Sequence, residues 1–178
     1  MKTKLTSKGP GSTRKNAAAE GTPARIHLKQ ILVPVDFSDF SRKALRYALS
    51  FAESFGAQIT VLYVLEPMPY PNDFMVSSPM VLPAQQQIKP AQQHLRKVCD
   101  EFTAAHPDVN IVPQVALGHA AHEICEAARK LNTDLIIVAT HGYTGLKHVL
   151  MGSTAEQVVR HAPCPVLTVR EKEHEFID

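Results

Sequence analysis

The sequence predicts an α/β fold: a single, doubly wound, five-stranded parallel sheet with helices on both faces. Two observations predict it. Short segments such as Ile31-Leu32-Val33-Pro34-Val35 and Leu135-Ile136-Ile137-Val138-Ala139 are apolar at every position, as strands buried on both faces are. These runs alternate with longer segments whose apolar residues recur at steps of three and four, the helical period.

Ile31–Val35 is the first strand. A helix follows from Asp39, with Leu45, Ala48, Leu49, Ala52 and Phe55 on its apolar face and Gly56 closing it. Gln58–Leu65 is the second strand. The stretch after it carries Pro67, Pro69, Pro71, Pro79 and Pro83, too many prolines for regular structure. Ile88, Ala91, Leu95, Val98, Phe102 and Ala105 mark an amphipathic helix. Ile111–Leu117 is a third strand, and Pro113 within it argues for a sheet edge. Ala121, Ile124, Ala128 and Leu131 mark the next helix, and Leu135–Ala139 the fourth strand. A helix from about Thr154 to His161 and a last strand, Pro165–Val169, complete the pattern, which contains no internal repeat.

The chain of 178 residues suffices for one domain, here 27–171, flanked by tails at 1–26 and 172–178. Residues 1–26 hold six basic residues against Glu20 alone, a net +5, which leaves −3 on the rest of the chain. The first segment has almost no large apolar residues and reads as a disordered tail; a transit peptide or basic anchor is the alternative. A body of net −3 offers no electrostatic footprint for nucleic acid. No apolar run approaches the roughly 20 residues that span a bilayer, and no secretory leader is evident. Cys99, Cys125 and Cys164 fit neither a disulfide framework nor a C-x-x-C spacing, so buried thiols in a reducing cytoplasm are expected.

Parallel sheets of this kind bind ligands beyond the carboxyl ends of their strands. That directs attention to Asp36, to Val64 and to the loop after Ala139. The fourth strand ends in Ala139-Thr140-His141-Gly142, and nine residues later Gly152-Ser153-Thr154 opens a helix. Backbone N–H groups at a strand end and a helix N-terminus favour a phosphate, and glycines let it approach. The same residues also read as a capping box, Ser153-Thr154-Ala155-Glu156, with Ser153 satisfying the helix's own amides and Gly142 a simple turn residue. No Walker sequence occurs. Asp36 reads either as a ligand contact or as a brace for the next helix through Ser38 and Asp39. His119 and His122 lie three apart, yet no third metal ligand is placed, so no metal site is assigned. His141 and His148 flank the glycine loop as exposed residues, and His161 complements a helix C-terminus.

Val33-Pro34-Val35-Asp36-Phe37-Ser38, together with Thr140-His141-Gly142, Gly152-Ser153 and His161-Ala162-Pro163-Cys164-Pro165-Val166, resembles the opening and closing motifs of the universal stress protein family. The resemblance covers residues 30–170 and implies a Rossmann-like fold similar to the adenine nucleotide alpha hydrolases. It further implies binding of ATP, with AMP or ADP as other occupants, accompanied by Mg2+. On that resemblance Pro34, Val35 and Val64 line the base pocket, and Asp36 meets the ribose or a metal-bound water. Val138, Ala139 and Gly142 pass beneath ribose and phosphates; Gly152, Ser153 and Thr154 hold the phosphates. The nucleotide-binding branch has glycine where this chain has Ala139, a departure that points toward a nucleotide-free interaction module; a slow ATPase is the other alternative. No catalytic residue is assigned. The 66–83 stretch reads as a flap over the nucleotide or a surface insertion, with Phe74, Met75, Val76, Met80 and Val81 available to a partner. Family members pair through the last strand, here about Val166–Arg170, so a cytoplasmic homodimer is expected.

Overall fold

The computed structural model describes residues 25–66, 84–141 and 151–170, together with Lys172, His174, Glu175 and Ile177; the side chains of 84–87 lie outside that set. The first 24 residues, the proline-rich stretch 67–83 and the loop 142–150, with Gly142 and His148, are thus outside the described residues. The elements are β1 (Gln30–Val35), α1 (Asp39–Phe55), β2 (Gln58–Leu65), α2 (Ala84–Ala105), β3 (Ile111–Leu117), α3 (Ala120–Lys130), β4 (Leu135–Ala139), α4 (Ser153–His161) and β5 (Val166–Val169). All five strands are parallel, in the order β3-β2-β1-β4-β5.

The strands are apolar at consecutive positions because each parity feeds a different core. Ile31, Val33 and Val35 of β1, Ile59 and Val61 of β2, and Ile137 of β4 pack with α1 and with Leu95 and Cys99 of α2. Leu32, Leu62, Ile136 and Val138 face the other way, against α3 (Ile124, Ala127, Ala128) and α4 (Ala155, Val158). Side chains alternate across a strand, so a sheet covered on both faces has no polar register. β3 lies at an edge, where Pro113 removes no ladder bond from a central strand, and it exposes Val112 and Leu117.

Ser38 caps α1, its hydroxyl accepting a hydrogen bond from the Ser41 amide at 3.2 Å, and Gly56 ends the helix at φ 67 with its N–H donating to the Ala52 carbonyl. Leu45, Ala48, Leu49 and Ala52 are buried, but Phe55 is 41% exposed and lies 6.3 Å from Phe51, ring centre to ring centre. Ala105, the last residue of α2, is likewise exposed, whereas Leu95 and Val98 are buried. α2 begins before Ile88 and runs through Pro90, which lies on its exposed side. β5 starts at Val166, one residue after the expected Pro165.

The chain's end returns to α1. Lys43 is buried, and its ammonium donates to the Arg170 carbonyl at 3.0 Å and pairs with a Glu175 carboxylate oxygen at 2.7 Å. Ile177 packs against the α1 core layer. The hydrogen bond from Lys43 and its charge lower the Glu175 pKa. A carboxyl depressed in the folded state stabilises the fold above its unfolded pKa and loses that contribution as pH falls through the folded one. The stability difference between the unaltered chain and Glu175→Gln is therefore expected at neutral pH and to vanish in acid. Denaturant titrations across that range measure it; salt weakens the effect, since the carboxylate is half-exposed.

Cys99 and Cys125 are buried, Cys164 is half-buried, and all three are free thiols. Burial raises each pKa, that of Cys99 to about 11. None therefore has the thiolate character of a reactive cysteine. Among the described residues no helix is long and apolar enough to cross a membrane.

Candidate functional site

From β1 the chain winds outward through β2 to β3, then returns to lay β4 on the other side of β1. The order of the strands reverses between β1 and β4, and sheets of this kind open a crevice at the carboxyl ends of such strands. A cleft of about 650 Å³ lies there, lined by the ends of β1, β2 and β4 and the beginnings of α1, α3 and α4. That volume suits a small molecule (about 300–1,000 Å³). The structure brings Pro34, Val35, Asp36, Val64, Val138, Ala139, Gly152, Ser153 and Thr154 together around it. Gly142 lies outside the described residues.

Three helix N-termini face this cleft, and they are closed differently. α1 is capped by Ser38. In α3 the N-cap His119 makes no side-chain bond, but Glu66, from the end of β2, accepts the Ala120 amide at 2.8 Å. α4 has Gly152 at its N-cap, and among the described residues no side chain bonds the amides of Ser153, Thr154 or Ala155. The capping-box alternative needed Ser153 at the cap. Ser153 is instead the first helical residue and is exposed. The cause is tertiary: the Gly152 N–H donates to the Thr140 carbonyl at 2.7 Å, which fixes residue 152 in the extended cap conformation, φ −67 and ψ 153. α4 therefore presents open N–H groups and the positive end of its dipole to the cleft.

The same approach explains the glycine. At φ −67 any residue is comfortable, but a Cβ at 152 would stand 3.2 Å from the Thr140 carbonyl oxygen. Thr140 is buried, and its N–H donates to the Val169 carbonyl at 2.8 Å, so one residue ties β4 to both β5 and α4. Its hydroxyl lies 3.0 Å from Nδ1 of His141, which is half-buried and lines the cleft. Ala139 lines the cleft as well, and it also packs into the α1 core layer, so its methyl is not devoted to the cleft alone.

Asp36 serves the turn as well as the cleft. Its Oδ1 accepts the Ser38 amide at 3.1 Å and the Ser38 hydroxyl at 2.5 Å, bracing the residue that caps α1. Phe37 between them has φ 66, a left-handed conformation costing a non-glycine residue about 1–2 kcal/mol. Its ring sits 4.6 Å from Tyr63 and 4.2 Å from His94, centre to centre. Ring pairs contribute roughly 0.5–1.5 kcal/mol each, enough to offset that cost.

Tyr63, Glu66, Ala120 and Thr140 line the cleft without having been singled out. The strand-end rule was the available signal for Tyr63 and Thr140; the convergence of α3 on the same cleft follows only from topology. Asp36 and Glu66 put two carboxylates at the rim, and among the described lining residues there is no Lys or Arg. His119 and His122 are exposed, and among the described residues no group of three or more His, Cys, Asp or Glu is arranged to hold a metal.

Against known proteins, a profile described as the universal stress protein family matches residues 27–170. The chain belongs to the universal stress protein family. A universal stress protein of Methanocaldococcus jannaschii is 35% identical over 147 residues, which are 83% of this chain and 85% of that one. The structure of universal stress protein UspA from Lactobacillus plantarum superposes with a TM-score of 0.68 at 29% identity, covering 82% of this chain and all of that one. A universal stress protein family protein from Arabidopsis thaliana, solved with AMP bound, shares the fold at a TM-score of 0.55 and 21% identity, over 81% of this chain and 92% of that one. The doubly wound parallel sheet of this universal stress protein is thus the architecture of its relatives.

Proposed function

We propose that this protein binds an adenine nucleotide, ATP with Mg2+ or its products ADP and AMP, and acts as a nucleotide-dependent regulator in the stress response. The observation that carries the reading is the open N-terminus of α4. Where Ser38 accepts an amide of α1 and Glu66 an amide of α3, the first amides of α4 receive no side-chain cap from any described residue. Phosphate oxygens are the natural acceptors for such a group. The hydroxyls of Ser153 and Thr154 add donors beside it. Val64 at the end of β2 meets the base through its main chain, over Pro34, Val35 and Val138, and Asp36 faces the ribose. Ala139 runs beneath the sugar and phosphates. The two rim carboxylates disfavour a bare polyphosphate, and a divalent cation carried in with the phosphates would offset that repulsion. AMP in the Arabidopsis relative is consistent with the fold accepting an adenine nucleotide.

The role is regulatory rather than catalytic. Hydrolysis needs a water held by a general base. Among the described lining residues the candidates are Asp36, already bonded to Ser38, Glu66, already bonded to α3, and His141. The working unit in this reading is a cytoplasmic homodimer paired along β5, about Val166–Arg170, an edge strand. A nucleotide-free interaction module is the second reading, and Ala139 is the residue that favours it.

Thermal unfolding with ATP and Mg2+, ADP or AMP tests the proposal, alongside mass spectrometry of small molecules released from the purified protein. A ligand-dependent rise in melting temperature is expected; a nucleotide at about 100 times its Kd adds roughly 2.7 kcal/mol. No rise with any adenine nucleotide, and none released, leaves the interaction-module reading in its place.

A further inference from the structure

We infer that Phe37 is a positioning residue for the nucleotide: its ring, held between Tyr63 and His94, keeps the turn that presents Asp36 to the cleft. The inference rests on the nucleotide-binding reading and goes beyond it to a residue outside the cleft lining. Phe37 stands between Asp36 and Ser38, the two residues joined by the carboxylate's bonds to the Ser38 amide and hydroxyl. For those bonds to close, the chain turns through φ 66 at Phe37. A bulky residue adopts that conformation rarely, and glycine would adopt it freely. With phenylalanine in place, the conformation needs an external hold, and the ring has two ring contacts to supply it. Tyr63 lies at the carboxyl end of β2 and lines the cleft; His94 lies on α2. The ring therefore fixes the β1–α1 turn against both the sheet and a second helix. With the ring gone and the strain kept, φ relaxes toward negative values, the Ser38 amide turns away, and the Asp36 carboxylate loses its fixed direction. The α4 amides belong to another element, tied to Thr140, and do not depend on this turn.

That independence supplies a test which simple destabilisation does not mimic. Titration calorimetry of the full chain is carried out with three probes: adenosine, AMP and inorganic pyrophosphate. Phe37→Ala is expected to weaken adenosine and AMP about tenfold or more, the scale of one misdirected hydrogen bond to a charged group, and to leave pyrophosphate within about twofold. Phe37→Tyr, which keeps the ring, restores the unaltered affinities. His94→Ala, on the exposed side of α2, weakens adenosine in the same direction by a smaller factor and decides the matter if Phe37→Ala does not fold. Equal weakening of all three probes, or unchanged adenosine affinity in Phe37→Ala or in a folded His94→Ala, overturns the inference while leaving nucleotide binding intact. An unaltered protein that binds neither adenosine nor AMP overturns both.

Discussion

Gly152→Val is expected to abolish the nucleotide-dependent rise in melting temperature. The site at 152 has no room for a side chain in the direction of β4: the first carbon would lie 3.2 Å from the Thr140 carbonyl oxygen, a backbone atom that cannot swing aside. Relief requires α4 to back away, lengthening the 2.7 Å bond from the Gly152 N–H and moving the amides of Ser153 and Thr154 with it. The displaced amides no longer converge on a common phosphate position. Nucleotide at about 100 times its Kd contributes roughly 2.7 kcal/mol, and each kcal/mol is worth about 2–4 °C in a chain of this size. A shift of about 5–11 °C should therefore disappear. The nucleotide-free protein should itself lose about 1–3 kcal/mol, the usual cost of overpacking, with far-ultraviolet circular dichroism unchanged. Gly152→Ala should fall between the two. A valine variant that keeps the full shift would place the phosphates away from α4.

Ile136→Ala is expected to be the most destabilising of these substitutions. Ile136 is fully buried in β4, where it pairs in register with Leu32 of β1 and Val166 of β5. It belongs to the core that holds α3 and α4 on the sheet. Removing its three outer carbons leaves a cavity between a central strand and two helices, costing about 2–5 kcal/mol. Domains of this kind have about 5–15 kcal/mol in all. Urea titration should show a lower midpoint with little change in slope. Val159→Ala, on the exposed side of α4, serves as the control and should change stability by less than about 0.5 kcal/mol. A small effect at Ile136 would mean that the α3–α4 layer contributes little to the cooperative unit.

The two substitutions illustrate what the sequence discloses. The strands were legible because Ile136 and Ile137, adjacent in the chain, feed opposite cores, and only a sheet covered on both faces asks for that. The α1 terminus was legible because Gly56 carries its own local reason, a left-handed φ. Ser153 looked like a cap because local pattern favours it. The bond from Gly152 to Thr140, twelve residues earlier, moved the helix start by one. Glu66 closing α3 across 54 residues has no local signature at all. Nor does Phe37: a left-handed turn announces itself through glycine or asparagine, and here ring contacts from β2 and α2 take that place. Asp36 read as either brace or ligand contact, and the structure puts both the bracing bonds and the cleft at the same carboxylate.

Pro113 has a bearing on assembly size. An open sheet that can recruit strands at both ends is able to grow without limit, one copy after another. On the β3 side a ring nitrogen interrupts the row of donors that an incoming strand would need, while β5 carries no proline between Val166 and Val169. In the proposed pairing of copies, strand addition would thereby be confined to the β5 side. A two-fold contact there uses up its own docking edge, so growth stops at a pair rather than running on into a filament.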